Sequence, residues 1–168
     1  MSPAPVRFTV ERADAEPGAG LLRAFLAEID DLYGPPDGPW PSASADEMSA
    51  PGGAFLVGRI DGDPIACGGV KTIRVPEPDG DGGPVAIAEI KRMYVAPAAR
   101  GRGVARALLA MLESEARALG HRRVRLDTGP RQPDALHLYR SAGYVEIDDY
   151  NGNVRAAHWL EKRLTAAD

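Results

Sequence analysis

The sequence predicts one α+β domain, in which a mixed and mainly antiparallel sheet is flanked by helices. Apolar residues alternate in several short runs, as in strands, and repeat at helical spacing in others. The segment 85–128 has the order strand, turn, helix, strand, and such a crossover makes its two strands parallel neighbours. The other strands are joined by short turns and are expected to be antiparallel. With 168 residues, the chain is expected to form a single domain over 1–168.

The first half of the chain predicts a strand, a helix and a hairpin. Phe8 and Val10 alternate with polar residues, whereas Leu21 and Ile29 recur on one helical face. The dipeptide Asp61-Gly62 favours the tight turn of a hairpin. The predicted elements are a strand over 7–12, a helix over 18–33, a Pro/Ser/Gly-rich connection over 34–53 with one short helix around 45–48, hairpin strands over 54–60 and 65–73, and a loop over 75–83.

The second half predicts a parallel strand pair, a short helix and a final strand pair. Leu108, Leu112 and Ala116 repeat at helical spacing, and Gly120 is a typical helix stop. The predicted elements are strands over 85–95 and 124–128 joined by a helix over 103–119, a helix over 134–142, and strands over 144–147 and 155–164 around Asn151-Gly152.

The composition is ordinary for a globular protein and argues against several functions. A net charge of −4 disfavours a nucleic-acid partner. The single Cys67 excludes a disulfide framework, and three scattered histidines give no metal-ligand spacing, so no metal is expected. No apolar run approaches the roughly 18 residues that cross a bilayer, and no signal-peptide pattern is present, so we expect no membrane partner and a cytoplasmic location. Seventeen of the twenty basic residues are arginine, so the cluster Arg122, Arg123 and Arg125 predicts only a solvated strand face.

The turn Arg100–Ala105 predicts a phosphate-binding site. A glycine-rich turn that opens a helix leaves backbone N–H groups directed at one point, at the positive end of the helix dipole. A dinucleotide fingerprint would need a third glycine where Arg106 stands, and a nucleoside triphosphate loop would need a Gly-Lys pair that the chain lacks. The turn alone leaves the phosphate ligand open.

The residues around this turn resemble the GNAT N-acetyltransferase superfamily. Arg100, Gly103 and Ala105 match its hallmark Gln/Arg-x-x-Gly-x-Gly/Ala, directly after a strand that ends in Met-Tyr-Val. The stretch 136–144, Leu-His-Leu-Tyr-Arg-Ser-Ala-Gly-Tyr, resembles the family's Leu-Tyr-x-x-x-Gly-Phe/Tyr segment. The resemblance extends from about residue 53 onward. It implies the acyl-CoA N-acyltransferase fold, with the parallel strands splayed apart, and acetyl-CoA as the acyl donor.

The resemblance also implies which residues hold acetyl-CoA. The backbone of the turn would bind the pyrophosphate, and a Cβ at Gly103 would hold the phosphate away from the N–H groups. The main chains of Met93 and Val95 would bind the pantetheine arm, and the Met93 N–H would stabilise the oxyanion. The implied cofactor-binding residues are Met93, Tyr94, Val95, Arg100, Gly101, Arg102, Gly103, Val104 and Ala105.

Direct acetyl transfer to an amine needs deprotonation of the amine and protonation of the leaving thiolate, but no enzyme nucleophile. Tyr139 matches the family's tyrosine and is predicted to be the proton donor; the alternative is a core residue. Glu89, a carboxylate in an apolar strand within the stretch Ala-Glu-Ile, is predicted to be the base. The alternative for Glu89 is an ion pair with Lys91, Arg92 or Arg125.

The acceptor is predicted to be a small polar amine or amino-acid derivative that approaches from the side opposite acetyl-CoA. Carboxylates and aromatic rings suit a cationic amine, although 148–152 could equally be a solvated turn. The candidate acceptor residues are Tyr33, Asp127, Thr128, Asp149 and Tyr150, with Trp40 and Asp148 also in the segments around the acceptor. For Asp127 and Thr128, on the strand next to β-strand 85–95, the equal alternative is a structural role. Acetylation of a peptide or protein N-terminus or lysine is one alternative, and a non-catalytic acetyl-CoA sensor is another.

Both a monomer and a homodimer are compatible with the sequence. Cys67 is expected to be a buried apolar residue and His137 to lie on the surface.

Overall fold

The computed structural model describes residues 2–38, 40–41, 43–77 and 82–166. Their elements in chain order are β1 (Arg7–Val10), α1 (Gly18–Tyr33), β2 (Gly53–Ile60), β3 (Asp63–Val75), β4 (Val85–Val95), a 3-10 turn (Pro97–Ala99), α2 (Val104–Ala118), β5 (Arg123–Thr128), α3 (Pro133–Ser141), β6 (Val145–Ile147) and β7 (His158–Arg163). Within the described residues the strands form one sheet in the order β1-β2-β3-β4-β5-β7-β6. Only β4 and β5 are parallel among its neighbours. The predicted fold class is confirmed.

β4 and β5 begin as a pair and then separate. Ala88 pairs with Val124 and Glu89 with Arg125. Beyond these two pairs β4 continues for six residues to Val95, and β5 continues to Thr128, without further pairing between them. The sheet therefore opens into a gap between the carboxyl ends of β4 and β5. This agrees with the splayed parallel strands that the family resemblance implies.

A β-bulge in β4 changes which side chains face each side of the sheet. The register between β3 and β4 shifts between Cys67 and Gly69, and on the opposite strand Arg92 adopts a left-handed backbone with φ of 62°. The extra residue interrupts the alternation of the strand. The side facing α2 receives Ala88, Ile90, Met93 and Val95, and the opposite side receives Glu89, Lys91 and Tyr94.

Apolar cores lie on both sides of the sheet. α2 covers one side with Leu108, Leu109 and Leu112, all fully buried. α1 covers the other side, where Phe55 and Cys67 are fully buried. Burial raises the pKa of the Cys67 thiol to about 12, so it is not ionised at neutral pH. The prediction that Cys67 is a buried apolar residue is confirmed, and this thiol is no nucleophile.

Most predicted elements are present with ends shifted by a few residues, but the short helix around 45–48 is not. Ser44 and Glu47 bond each other's backbone N–H groups at 3.1 and 3.0 Å, the reciprocal pattern that begins a helix. Pro51 and two glycines follow, and the segment stays a hydrogen-bonded turn. The predicted loop over 75–83 loses its first residue to β3, and its residues 78–81 lie outside the described residues.

Two surface predictions have different outcomes. His137 is exposed, as predicted. Arg123 and Arg125 are not a solvated face, because their side chains are largely buried and paired. Arg125 Nε lies 2.7 Å from Glu161, and Arg123 Nη2 lies 3.3 Å from Glu77. Among the described residues, no helix has both the length and the apolar character that crossing a membrane requires.

Candidate active site

The gap between β4 and β5 opens into a cleft of about 610 Å³, here called the large cleft. Its walls come from α1, the end of β4, the first turn of α2 and α3. The residues predicted to bind the cofactor line it with one exception. They are Met93, Tyr94, Val95, Arg100, Gly101, Gly103, Val104 and Ala105. The exception is Arg102, whose side chain is exposed outside the cleft.

The first turn of α2 forms one end of the large cleft. Gly103 caps this helix with φ of 79°, and no side-chain cap bonds its first turn within the described part of the chain. Gly101 has φ of 75°, so both positions need the backbone freedom of glycine. The first turn also contains no acidic residue. Free N–H groups at the positive end of a helix suit a phosphate.

The two glycines are required for a reason that differs in part from the predicted one. A Cβ added at Gly101 or Gly103 would meet no protein atom within 4 Å. The open space agrees with a face kept free for a ligand. Within the protein itself, the requirement for glycine comes from the left-handed backbone.

The end of β4 presents backbone groups to the gap. The Ala96 N–H donates to the Ile65 carbonyl of β3 at 2.8 Å, so by strand alternation Val95 directs its N–H and C=O to the β5 side. Arg100 Nε donates to the Val95 carbonyl at 2.8 Å, and Arg100 Nη2 pairs with Glu28 at 2.6 Å. Arg100 therefore fixes the turn to the strand, and the Val95 N–H is directed at the gap.

A second, smaller cleft of about 80 Å³ adjoins the first and is here called the small cleft. The residues common to both clefts are Phe25, Ile29, Met93, Gln132 and Tyr139. The small cleft is otherwise mainly polar. Its further lining includes Trp40, Lys91, Arg92, Asp127, Thr128, Asn153 and Arg155. A molecule in the small cleft would meet the end of an extended ligand beside Met93 and Tyr139.

Tyr139 lies at this junction. Its side chain is buried, and its hydroxyl lies 3.8 Å from Met93 Sδ. Burial raises the pKa of the Tyr139 hydroxyl, and the negative charge of Asp127 raises it further, so the hydroxyl keeps its proton at neutral pH. Tyr139 is thus both a core residue and a cleft residue, and the two alternatives drawn from the sequence do not exclude each other.

Asp127 is the carboxylate that lines the small cleft. Its Oδ2 accepts hydrogen bonds from Lys91 Nζ at 3.1 Å and Asn151 Nδ2 at 2.6 Å. Its Oδ1 accepts one from Asn153 Nδ2 at 3.1 Å. Because an ionised carboxylate offers about four acceptor positions, one position on Oδ1 is left for a ligand.

Glu89 lies behind Asp127 and lines neither cleft. It is 2% exposed, and its Oε2 accepts hydrogen bonds from the Tyr150 hydroxyl at 2.6 Å and Asn151 Nδ2 at 3.3 Å. Lys91 Nζ is 3.8 Å from Glu89 and 3.1 Å from Asp127, so it connects the two carboxylates. The ion-pair alternative for Glu89 is present in the structure. A role as base would require a relay to the cleft.

Of the five predicted acceptor residues, Asp127 and Thr128 line the small cleft and the other three do not. Tyr150 holds Glu89 instead. The Tyr33 hydroxyl donates to Gln132 Oε1 and accepts from the Arg131 N–H, both at 3.1 Å, and so ties α1 to the loop before α3. Asp149 is exposed and caps its own turn by accepting from the N–H groups of Asn151 and Gly152.

Two arginines of the small cleft were not predicted. The Arg92 and Arg155 guanidinium groups lie 4.7 and 4.4 Å from the centre of the Trp40 ring. In a chain whose basic residues are nearly all arginine, no spacing distinguishes these two. Arg92 lies at the bulge where the register with β3 shifts, and Arg155 meets its partner Asp30 from 125 positions away.

The architecture is a mixed sheet whose two central parallel strands separate beside a helix with a glycine-capped first turn. The chain belongs to the acetyltransferase (GNAT) family, whose model matches residues 23–144. The resemblance drawn from the Arg100–Ala105 turn and the 136–144 stretch is confirmed.

Individual relatives agree with this assignment. The chain is 37% identical over 99 residues to an IAA acetyltransferase of Azospirillum brasilense, and the match covers 59% of each protein. An acetyltransferase of the GNAT family from Staphylococcus aureus has a TM-score of 0.68 at 13% identity, covering 96% of this chain and 100% of that one. A GNAT family acetyltransferase from Elizabethkingia anophelis, solved with acetyl-CoA bound, has a TM-score of 0.61 at 16% identity, covering 95% and 98%. At these identities the solved structures establish the fold.

Proposed function

We propose that the protein transfers an acetyl group from acetyl-CoA to the primary amine of a small molecule, by direct attack while both substrates are bound. The observation that carries this proposal is the meeting of the two clefts at Met93 and Tyr139. A sensor that only binds acetyl-CoA would need no second polar cleft at that point. Acetyl-CoA supplies the acetyl group as an activated thioester.

The large cleft fits acetyl-CoA in its shape and its donors. The N–H groups of the first turn of α2, led by Gly103, would hold the pyrophosphate at the positive end of the helix. The Val95 N–H faces the gap and would bind the pantetheine arm in the manner of an added strand. The Met93 N–H at the bulge is the proposed donor to the oxyanion.

Asp127 is proposed to hold the acceptor amine. It is the carboxylate in contact with the small cleft, and its Oδ1 has one acceptor position left after its three donors are counted. The proposed role of Glu89 as base is indirect: the amine would protonate Asp127, and Lys91 would pass one of its own protons to Glu89 while taking up the proton from Asp127. The two carboxylates would then act as one coupled unit.

Tyr139 is proposed to assist departure of the thiolate. An ordinary thiol has a pKa near 8.5, below that of a phenol, and burial widens this difference. Tyr139 would therefore stabilise the developing sulfur charge mainly by donating a hydrogen bond. The hydroxyl is free to turn to such a partner, because its contact with Met93 Sδ at 3.8 Å is weak.

Calorimetry of coenzyme A binding to a Gly103→Val variant tests the cofactor site. The left-handed φ of 79° is strained for valine, so the first turn of α2 would reorganise and affinity should fall by roughly 100-fold or more. Gly62→Val is the matched control, because Gly62 has φ of 87° in the hairpin turn between β2 and β3. Unchanged affinity in Gly103→Val would refute the assignment. Thiol release from acetyl-CoA with a panel of amines then tests the transfer itself.

A further inference from the structure

Three buried side-chain atoms have no hydrogen-bond partner among the residues that the structure describes. They are Thr128 Oγ1, Arg155 Nε and Arg155 Nη1. Buried polar groups are almost always bonded, so each exception calls for an explanation. Both residues line the small cleft. The cleft is therefore lined by two residues that carry unpartnered polar atoms.

Arg155 offers donors that are already held in place. Arg155 is only 8% exposed, and its Nη2 donates to Asp30 Oδ1 at 2.7 Å and to the Gly34 carbonyl at 2.6 Å. These bonds fix the guanidinium while the N–H groups of Nε and Nη1 stay unused. A guanidinium N–H forms its strongest hydrogen bonds with an anionic oxygen.

Arg92 adds a second guanidinium to the same cleft. It has no carboxylate within ion-pair distance in the described ranges, and burial lowers its pKa. The neighbouring Arg155 lowers it further, whereas Asp127 opposes the shift. A partly buried cation without a paired carboxylate is unfavourable unless an anion joins it.

The arginines also change how an amine could be recognised. Both guanidinium groups lie against Trp40, so this ring is taken up by cations of the protein itself. The charged lining of the small cleft, as far as the chain is described, comprises Lys91, Arg92, Arg155 and Asp127. Recognition of a polycation by carboxylates and aromatic rings does not fit this lining, which has three cationic side chains and one carboxylate. A molecule that carries one amine and one anionic group does fit it.

We propose that the acceptor is a small α-amino acid whose carboxylate is bound by Arg92, Arg155 and Thr128 and whose amino group lies at Asp127. The volume of about 80 Å³ requires the two groups to be close together in the acceptor, as they are on one α-carbon. This inference rests on the proposed function, because it names the acceptor of the same site.

The first arm of the test measures acetyl transfer. L-alanine and L-serine are each compared with their C-terminal amides, which keep the amine and remove the negative charge. The amides are expected to have a kcat/KM roughly 10- to 100-fold lower. Arg92→Met and Thr128→Val should each reduce this preference several-fold, mainly through KM for the acid. Thr128→Val removes only an unpartnered hydroxyl and conserves the shape of the side chain. A reduced preference in this variant is therefore not explained by unfolding. Arg122→Met, at an exposed arginine outside both clefts, controls for loss of charge.

The second arm measures binding without catalysis. N-acetyl-L-alanine and its amide are titrated into the protein with coenzyme A present, and the fluorescence of Trp40 is followed. Trp40→Phe identifies the origin of the signal. Tighter binding of the acid, lost in Arg92→Met, supports the inference even where no amine is acetylated, and in that case only the proposed function fails. Equal binding and equal turnover of acid and amide would overturn the inference while leaving acetyl transfer intact.

Discussion

Replacement of Lys162 by methionine should destabilise the protein by about 3 kcal/mol, because it leaves a buried carboxylate without its cation. Glu113 of α2 is 5% exposed. Its carboxylate accepts hydrogen bonds from Lys162 Nζ at 2.9 and 3.2 Å and from the Tyr144 hydroxyl at 2.9 Å. Burial raises the pKa of Tyr144, and the adjacent Glu113 charge adds to the shift, so its hydroxyl stays a donor.

The magnitude follows from what is left after the substitution. Breaking a buried ion pair from one side costs about 3–5 kcal/mol. The lower end applies here because the Lys162 side chain is 24% exposed, so water can reach the site, and because Tyr144 still donates one bond. In a domain of this size, about 3 kcal/mol corresponds to a fall in Tm of roughly 6–12 °C.

Denaturant unfolding of Lys162→Met measures the free energy of unfolding directly. The double variant Glu113→Gln/Lys162→Met should recover much of the loss, since it removes the unpaired charge. Arg163→Met, at an exposed neighbour on β7, controls for the change in net charge. Tyr144 packs on Tyr139 with ring centres 5.9 Å apart, so thiol release well below Tm should also be followed. A loss below about 1 kcal/mol in Lys162→Met would show that this lysine does not compensate Glu113, and the reasoning would fail.

Three further outcomes can be checked with simple assays. Tyr139→Phe should lower kcat by roughly 100-fold without weakening coenzyme A binding. Its raised pKa keeps Tyr139 protonated, so the factor should be the same at pH 7 and pH 9; a factor that shrinks with pH would contradict this. Asp127→Asn should raise KM for the amine by roughly 10-fold or more, whereas Glu89→Gln should act mainly on kcat; the reverse pattern would favour direct contact by Glu89. Arg59→Met should lower stability at pH 7 by about 0.5–1 kcal/mol. Hydrogen bonds from Arg59 hold the pKa of Glu11 below its unfolded value near 4.3, so this stability exists above that pH and is lost on acidification, and thermal melts of the two proteins should converge as the pH is lowered.

The parts of the fold that depend on local pattern were predictable from the sequence. Residues 85–128 carry a strand, a glycine-rich turn, an amphipathic helix and a second strand in one continuous stretch, and this stretch alone specifies the parallel pair. The left-handed Gly103 belongs to the same stretch. Its signal is local because a helix start is determined by a few consecutive residues.

The lining of the small cleft was less predictable because its residues are brought together by packing. Arg155 acquires its place from Asp30 and Gly34, more than 120 positions earlier. Tyr33 was predicted to touch the acceptor, but its hydroxyl is used by the loop before α3, about 100 positions later. A single sequence carries no sign of such pairings. Residue type alone therefore could not distinguish a side chain with a structural role from one that lines a cleft.

The bulge at Arg92 makes β4 sensitive to length as well as to composition. Upstream of it Lys91 lines the small cleft, and downstream Met93 and Val95 pack on the side of the sheet that faces α2 and line the large cleft. Deletion of one residue there would move every later side chain of the strand to the opposite face of the sheet. Substitutions along this strand leave each side chain on its own side of the sheet, whereas a change of one residue in its length would move Met93, Tyr94 and Val95 to the opposite sides.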